Sequence, residues 1–190
     1  MKKIRIPCLI TILFTGLVTG LFAAPPETQT LPPEVARAFA KAQIQVLDTS
    51  FPISDFSLPL LDGKMQSLSS LKGKVVFLNF WATWCPPCRN EMPDMEKLYN
   101  RFKNEGLEFL TVNIQENKRE IESFMKEFKL TFPVVIDFSG EVAGQYGIRG
   151  IPTTYIIGRD GRIIAAAIGG RQWYSAEIIE AFRILLANGS

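Results

Sequence analysis

The hydrophobic positions change period along the chain, and each change marks an element. The run Val75-Val76-Phe77-Leu78-Asn79-Phe80 is almost continuously apolar and predicts a strand buried on both faces. Over 86–102 the apolar residues Met92, Met95, Leu98, Tyr99 and Phe102 recur at helical spacing. That helix opens on two prolines and carries a third, Pro93, inside it. A strand follows over 107–114, then an amphipathic helix over 118–128 with Ile121, Phe124, Met125 and Phe128 on one face. A further buried strand is expected over 132–136 and a short helical turn over 143–146, ended by Gly147. Strands over 153–157 and 162–167 flank Gly158-Arg159-Asp160-Gly161, a hairpin signal. Ser175 caps a last helix that runs to about residue 186. Upstream, 56–60 and 65–68 read as a small hairpin around Asp62-Gly63. Residues 33–47 read as a helix with Val35, Ala38, Phe39, Ala42 and Val46 on one stripe. This alternation predicts an α/β domain, a mixed central sheet flanked by helices.

The first residues behave differently. Lys2, Lys3 and Arg5 precede an uncharged, mostly apolar run over 6–24, 19 residues long. Residues 1–24 therefore read as an export signal or as an uncleaved membrane anchor, with membrane association through 6–24. Either way the charge asymmetry places the remainder on the extracytoplasmic side. Residues 25–50 read as a proline-bearing linker with a helix, and 51–190 as the main domain. With the three N-terminal cations set aside, 18 basic residues face 19 acidic ones. No basic block is present, which argues against a nucleic-acid partner.

The chemistry concentrates in Trp81-Ala82-Thr83-Trp84-Cys85-Pro86-Pro87-Cys88, at the junction of a strand and a helix. Two cysteines at this spacing can open and close a disulfide with little backbone movement. The helix dipole and the unpaired N–H groups of its first turn favour a thiolate on Cys85. Zinc sites use the same spacing but need about four ligands. This chain has no histidine and one other cysteine, Cys8, in the N-terminal apolar run. An inert structural disulfide would close almost no loop and add little stability. The pair is read as redox-active, with no metal and no cofactor beyond the two sulfurs.

Asn79 to Cys88, followed by Tyr146-Gly147-Ile148-Arg149-Gly150-Ile151-Pro152-Thr153, resembles a thioredoxin-fold protein. The upstream Asp55-Phe56-Ser57-Leu58, the run Cys88-Arg89-Asn90-Glu91-Met92-Pro93 and the helix–strand insertion at 118–136 resemble the TlpA/ResA group of extracytoplasmic thiol–disulfide oxidoreductases. The resemblance covers about residues 51–187. It implies a thioredoxin-like fold with an N-terminal β-hairpin. It also implies that Cys85, first and exposed at the helix start, attacks and that Cys88, more buried, resolves. Pro86 and Pro87 start the helix and tune the redox poise. Pro152 after Ile151 matches the family's cis-proline, beside which an extended substrate segment pairs in the manner of strand addition. Trp84 contributes to the docking surface, whereas Trp81 is equally well read as a core aromatic.

Glu91 stands three residues after Cys88, and the resembling group carries an acid there. Buried, it would be a proton acceptor for Cys88; solvated, it would be an ordinary helix residue. Ordinary thioredoxins have an aspartate where this chain has Asn79, and an amide carries no proton. The implied activity is exchange with protein thiols and disulfides, as a reductant supplied by a membrane electron donor, with apocytochrome c cysteines as implied substrates. Two alternatives remain at this level. One is a peroxiredoxin-like thiol peroxidase, against which stand Ala82 in place of a threonine and the CxxC partner. The other is a non-catalytic binding or chaperone module.

Overall fold

The computed structural model describes residues 31–188. The segment expected as signal or anchor, the first part of the linker and Cys8 lie outside the described residues. Among the described residues no helix is long and apolar enough to cross a membrane.

The elements are α1 (Pro33–Lys41), β1 (Gln45–Pro52), β2 (Ser57–Pro59), β3 (Met65–Ser67), β4 (Val75–Trp81), α2 (Pro86–Phe102), β5 (Leu107–Ile114), α3 (Lys118–Phe128), β6 (Val134–Asp137), α4 (Glu141–Gln145), β7 (Thr153–Ile157), β8 (Arg162–Ile168) and α5 (Ala176–Ala187). Six strands form one mixed sheet in the order β1-β8-β7-β4-β5-β6, and β2 and β3 form a separate hairpin. Strand β4 pairs parallel with β5 and antiparallel with β7, and β5 and β6 are parallel. A right-handed crossover helix is the usual way to join parallel neighbours, and α2 and α3 occupy the two connections.

All seven residues of β4 are buried, so its apolar run serves two cores. Val75, Phe77 and Trp81 pack with α1, α2, α3 and α5, through Val35, Phe39, Met95, Leu98, Phe124 and Phe182 among others. Val76, Leu78 and Phe80 pack on the other side with Leu110, Val112, Val142 and Phe56. The strand period of two therefore puts Asn79 on the α2 side. That parity aims the one polar residue of β4 at the helix that carries the cysteines.

The region before residue 53 differs from the expected helix over 33–47. Helix α1 stops at Lys41. Gln43 takes a left-handed φ of 57°. Its N–H donates to the Ala40 carbonyl, and the Ile44 N–H donates to the Phe39 carbonyl. These two bonds form a Schellman cap, normally signalled by glycine or asparagine; here glutamine occupies the position, so the end of the helix carries no local signal. Residues from Gln45 onward then form β1, antiparallel to β8 at the sheet edge. The expected division at 50/51 falls inside this strand. Helix α1 packs on α5, with Phe39 edge-on to Phe182 at 6.0 Å between ring centroids.

Candidate active site

The strand β4 delivers the chain to a short loop, and α2 begins at the second half of the CxxC run. Cys85 is the N-cap residue of α2, in an extended conformation. Its backbone N–H donates to the Ala82 carbonyl and its own carbonyl accepts from the Arg89 N–H. Cys85 and Cys88 are joined as a disulfide, with Cα atoms 5.3 Å apart. Pro86 and Pro87 fill the first two helical positions and have no N–H to offer. The amide aimed at the Cys85 sulfur is that of Cys88, at 3.3 Å. A helix start usually presents several orphan donors, and here the prolines reduce that group.

Cys88 is fully buried and Cys85 is 3 % exposed. The first sulfur was expected to be exposed. It is covered because the loop before β7 closes over it, with the Ile151 carbonyl oxygen 3.6 Å from Cys85 Sγ. In the disulfide this sulfur carries no hydrogen, so that approach is a contact and not a donated bond. After reduction a neutral thiol could donate to this carbonyl, whereas a thiolate would be repelled by it. The Cys88 amide and the Ile151 carbonyl thus act on the Cys85 charge in opposite senses. The Ile151–Pro152 peptide is cis. Its loop is held to the end of β8, where the Gly169 N–H donates to the Pro152 carbonyl at 2.8 Å. Trp84, next to Cys85, is 62 % exposed, and Ile168, the cross-strand partner of Thr153 after the cis-proline, is 75 % exposed. Trp81 by contrast has no exposure and packs on Phe124, 5.2 Å between centroids.

Glu91, one helical turn after Cys88, is buried at 2 % exposure. The solvated alternative is thereby excluded by the packing. Its Oε1 accepts from Asn79 Nδ2 at 3.2 Å, and its Oε2 accepts from Trp173 Nε1 at 3.0 Å and from the Arg171 N–H at 3.3 Å. Asn79 Nδ2 also donates to Thr154 Oγ1, its cross-strand neighbour. Burial pushes the Glu91 carboxyl up from 4.5 to about 7, and the three donors and the Arg171 charge only partly oppose it. Among the described residues Asn79 Oδ1 has no hydrogen-bond partner. An amide that turns over would present that oxygen to a protonated Glu91, so the site can satisfy the carboxyl in either state.

On the insertion side of the cysteines stands a second buried carboxylate, which the sequence reading missed. Glu116 follows β5 and accepts from the Thr83 N–H and from Asn113 Nδ2, each at 2.7 Å, and from the Thr83 hydroxyl. Arg89 Nη1 donates to the Thr83 carbonyl at 3.1 Å, and its guanidinium lies 4.8 Å from the centroid of Phe128 and 5.0 Å from that of Phe124. Both sides of the Thr83 residue, two before Cys85, are therefore held by groups packed around α3. Trp173 and Arg171 were missed as well. Among the described residues no group of three or more His, Cys, Asp or Glu side chains is placed to hold a metal ion.

Taken together, the sheet order and a CxxC disulfide at the start of α2 define a thioredoxin-like protein built for thiol–disulfide chemistry. The AhpC/TSA family model matches residues 50–166. The thiol-disulfide oxidoreductase ResA of Halalkalibacterium halodurans is 42 % identical over 132 residues, covering 70 % of this chain and 73 % of that protein. ResA of Bacillus subtilis is 43 % identical over 115 residues, 60 % of this chain and 64 % of that one. Among solved structures, a thioredoxin-family thiol:disulfide interchange protein from Chlorobium tepidum superposes with a TM-score of 0.64 at 31 % identity, over 72 % of this chain and 97 % of that one. StoA from Bacillus subtilis gives 0.57 at 31 %, over 69 % and 93 %. The chain belongs to the AhpC/TSA family and is a thiol–disulfide oxidoreductase similar to ResA and StoA.

Proposed function

We propose that this chain is an exported reductant of protein disulfides, with apocytochrome c cysteines before haem attachment as its substrate class. The reduced Cys85 thiolate attacks one sulfur of the substrate disulfide. A mixed disulfide forms and the released substrate thiolate takes a proton. Cys88 then loses its proton to Glu91 and attacks Cys85 Sγ. The Cys85–Cys88 disulfide forms, and the substrate leaves with two electrons and both thiols. Electrons return from a membrane dithiol donor. Trp84, Ile151 and Pro152 receive the substrate segment, Pro86 and Pro87 set the donors on the attacking sulfur, and no further cofactor takes part. Residues 1–24 carry the domain across the membrane and either anchor it or are removed.

The observation that carries this reading is the buried Glu91 carboxyl on the same helix face as the buried Cys88. A sulfur sealed from water needs a nearby proton acceptor before it can attack, and Glu91 has one with an affinity near neutral pH. The exported location is supported by the cations before the apolar run, and the substrate class by the TlpA/ResA resemblance. Trapping tests the roles. Cys88→Ser should accumulate mixed disulfides with substrate proteins and Cys85→Ser should not; equal trapping by both would reverse or void the assignment. Peroxide consumption that depends on Cys85 and outruns protein-disulfide reduction would favour the peroxidase alternative. Recovery of the full-length domain on the cytoplasmic side would overturn the compartment.

A further inference from the structure

The turn between β8 and α5 reaches the active site from the side away from the insertion. Gly170 packs directly on the CxxC turn: a Cβ placed there would lie 3.0 Å from the Pro87 carbonyl oxygen and 3.2 Å from Pro87 Cβ. The close approach brings two donors to one oxygen, since the Arg171 N–H and Trp173 Nε1 both bond Glu91 Oε2. The other oxygen, Oε1, belongs to β4 through Asn79. Trp173 has no exposure, and its ring meets Phe77 edge-on at 4.7 Å. The turn is braced from behind. Arg171 Nη1 donates to the Gln43 carbonyl at 2.8 Å, in the cap that ends α1, and its guanidinium lies 5.5 Å from the centroid of the Trp173 ring.

We propose that Trp173 is a positioning residue for disulfide exchange: its indole N–H, delivered by the Gly169–Arg171 turn, holds the Glu91 carboxylate in place and keeps it available as a proton acceptor beside Cys88. The inference rests on the proton-acceptor reading of Glu91 given above. The physical reason is that a dry carboxylate without donors stays protonated and can take no proton. Each N–H aimed at Oε2 stabilises the ionised form, and the indole bond is the shorter of the two. Arg171 is the charged group acting on Glu91, and it works in the same direction. The cysteine thiols of the reduced state are the other titratable groups on this helix face.

Trp173→Phe removes the donor and keeps an aromatic ring against Phe77. The test uses the oxidised full-length protein in detergent micelles with carboxyl-labelled glutamate, the Glu91 signal being identified by its loss in Glu91→Gln. The Glu91 midpoint should rise by about one to two pH units in Trp173→Phe, the effect of one charge-assisted hydrogen bond. A midpoint that stays or falls overturns the inference, and a lowered Tm with an unmoved midpoint would reduce Trp173 to packing. Gly170→Ala is the independent variant, since its methyl would crowd the Pro87 carbonyl and press the turn away from Glu91 Oε2. Its midpoint should rise too. The pH dependence of protein-disulfide reduction is then compared. Its Glu91 limb should move with the midpoint, and Trp173→Phe should move nothing in a Glu91→Gln background. A midpoint that moves while the limb does not would sustain the positioning role and refute Glu91 as proton acceptor.

Discussion

Two buried carboxylates flank the cysteines, and they are built from similar parts. Glu91 faces Asn79 from β4, and Glu116 faces Asn113 from β5; each asparagine leaves its Oδ1 without a partner among the described residues. Each carboxylate accepts three hydrogen bonds. Around Glu116 the two that involve nitrogen are 2.7 Å, and two of the three come from the single residue Thr83. Around Glu91 they run from 3.0 to 3.3 Å and come from two distant segments, Asn79 of β4 and the turn that carries Arg171 and Trp173. Short bonds to one local segment make Glu116 a clamp on the loop that carries Trp84 and Cys85. At Glu91 burial raises the carboxyl to about 7, and the longer bonds only partly oppose it. The same residue type, at similar burial, thus ties one local loop on one side and gathers donors from distant segments on the other.

The largest expected effect breaks the clamp. Glu116→Ala would leave the Thr83 N–H, the Thr83 hydroxyl and Asn113 Nδ2 buried without their acceptor. The loss should be about 3–5 kcal/mol in denaturant unfolding. Glu91→Ala would serve as the matched comparison, and equal losses at low pH would erase the proposed difference between the two sites.

The second effect is a pH dependence set by Glu91. Its folded pKa is about 7 against 4.5 for the free group. Between these values the folded state binds more protons than the unfolded one, so stability falls as pH rises from about 4.5 to about 7. Glu91→Gln removes that slope. Relative to the parent protein, its stability at pH 8 should exceed its stability at pH 4 by on the order of 3 kcal/mol. The amide fits because Asn79 can turn its free Oδ1 toward the new NH₂. Parallel parent and variant stability curves across this range would show that Glu91 does not titrate as described.

The smallest effect lies between the two carboxylates, at the helix start. Pro87→Ala restores an N–H at the second helical position and keeps the Cβ that faces Gly170. A second amide beside the first sulfur should lower the Cys85 thiol pKa by about one pH unit, read from thiolate absorbance at 240 nm. An unchanged or higher value would mean that the new N–H does not reach the sulfur.

Elements with strong local signals were legible in the sequence. The α2 range over 86–102 was marked by Pro86, Pro87 and the recurrent apolar positions, and the structure has the same bounds. The strands over 107–114 and 153–157 and the helix over 118–128 were legible for the same reason. Strand β1 was not, because a Gln43 in a left-handed cap looks like any polar residue in a helix, and Val46 continued the helical stripe. At the site, the cysteines and Pro152 were legible because their chemistry is carried by identity and spacing. Glu91 was named but its burial was open, since a three-residue spacing gives a helix face and not what covers it.

The sequence by itself determined the dithiol, the helix that begins at it and the parity that turns Asn79 toward that helix. These depend on neighbours within a few residues, whose geometry is set by covalent structure and period. Only the tertiary structure decided that Cys85 lies under the Ile151 loop and that Trp173, 82 positions from Glu91, supplies its donor. It also decided that Glu116, 33 positions from Thr83, holds the loop before the cysteines. A buried carboxylate takes its charge state from whatever donors and apolar surface the fold packs around it, and those come from segments that no local pattern connects.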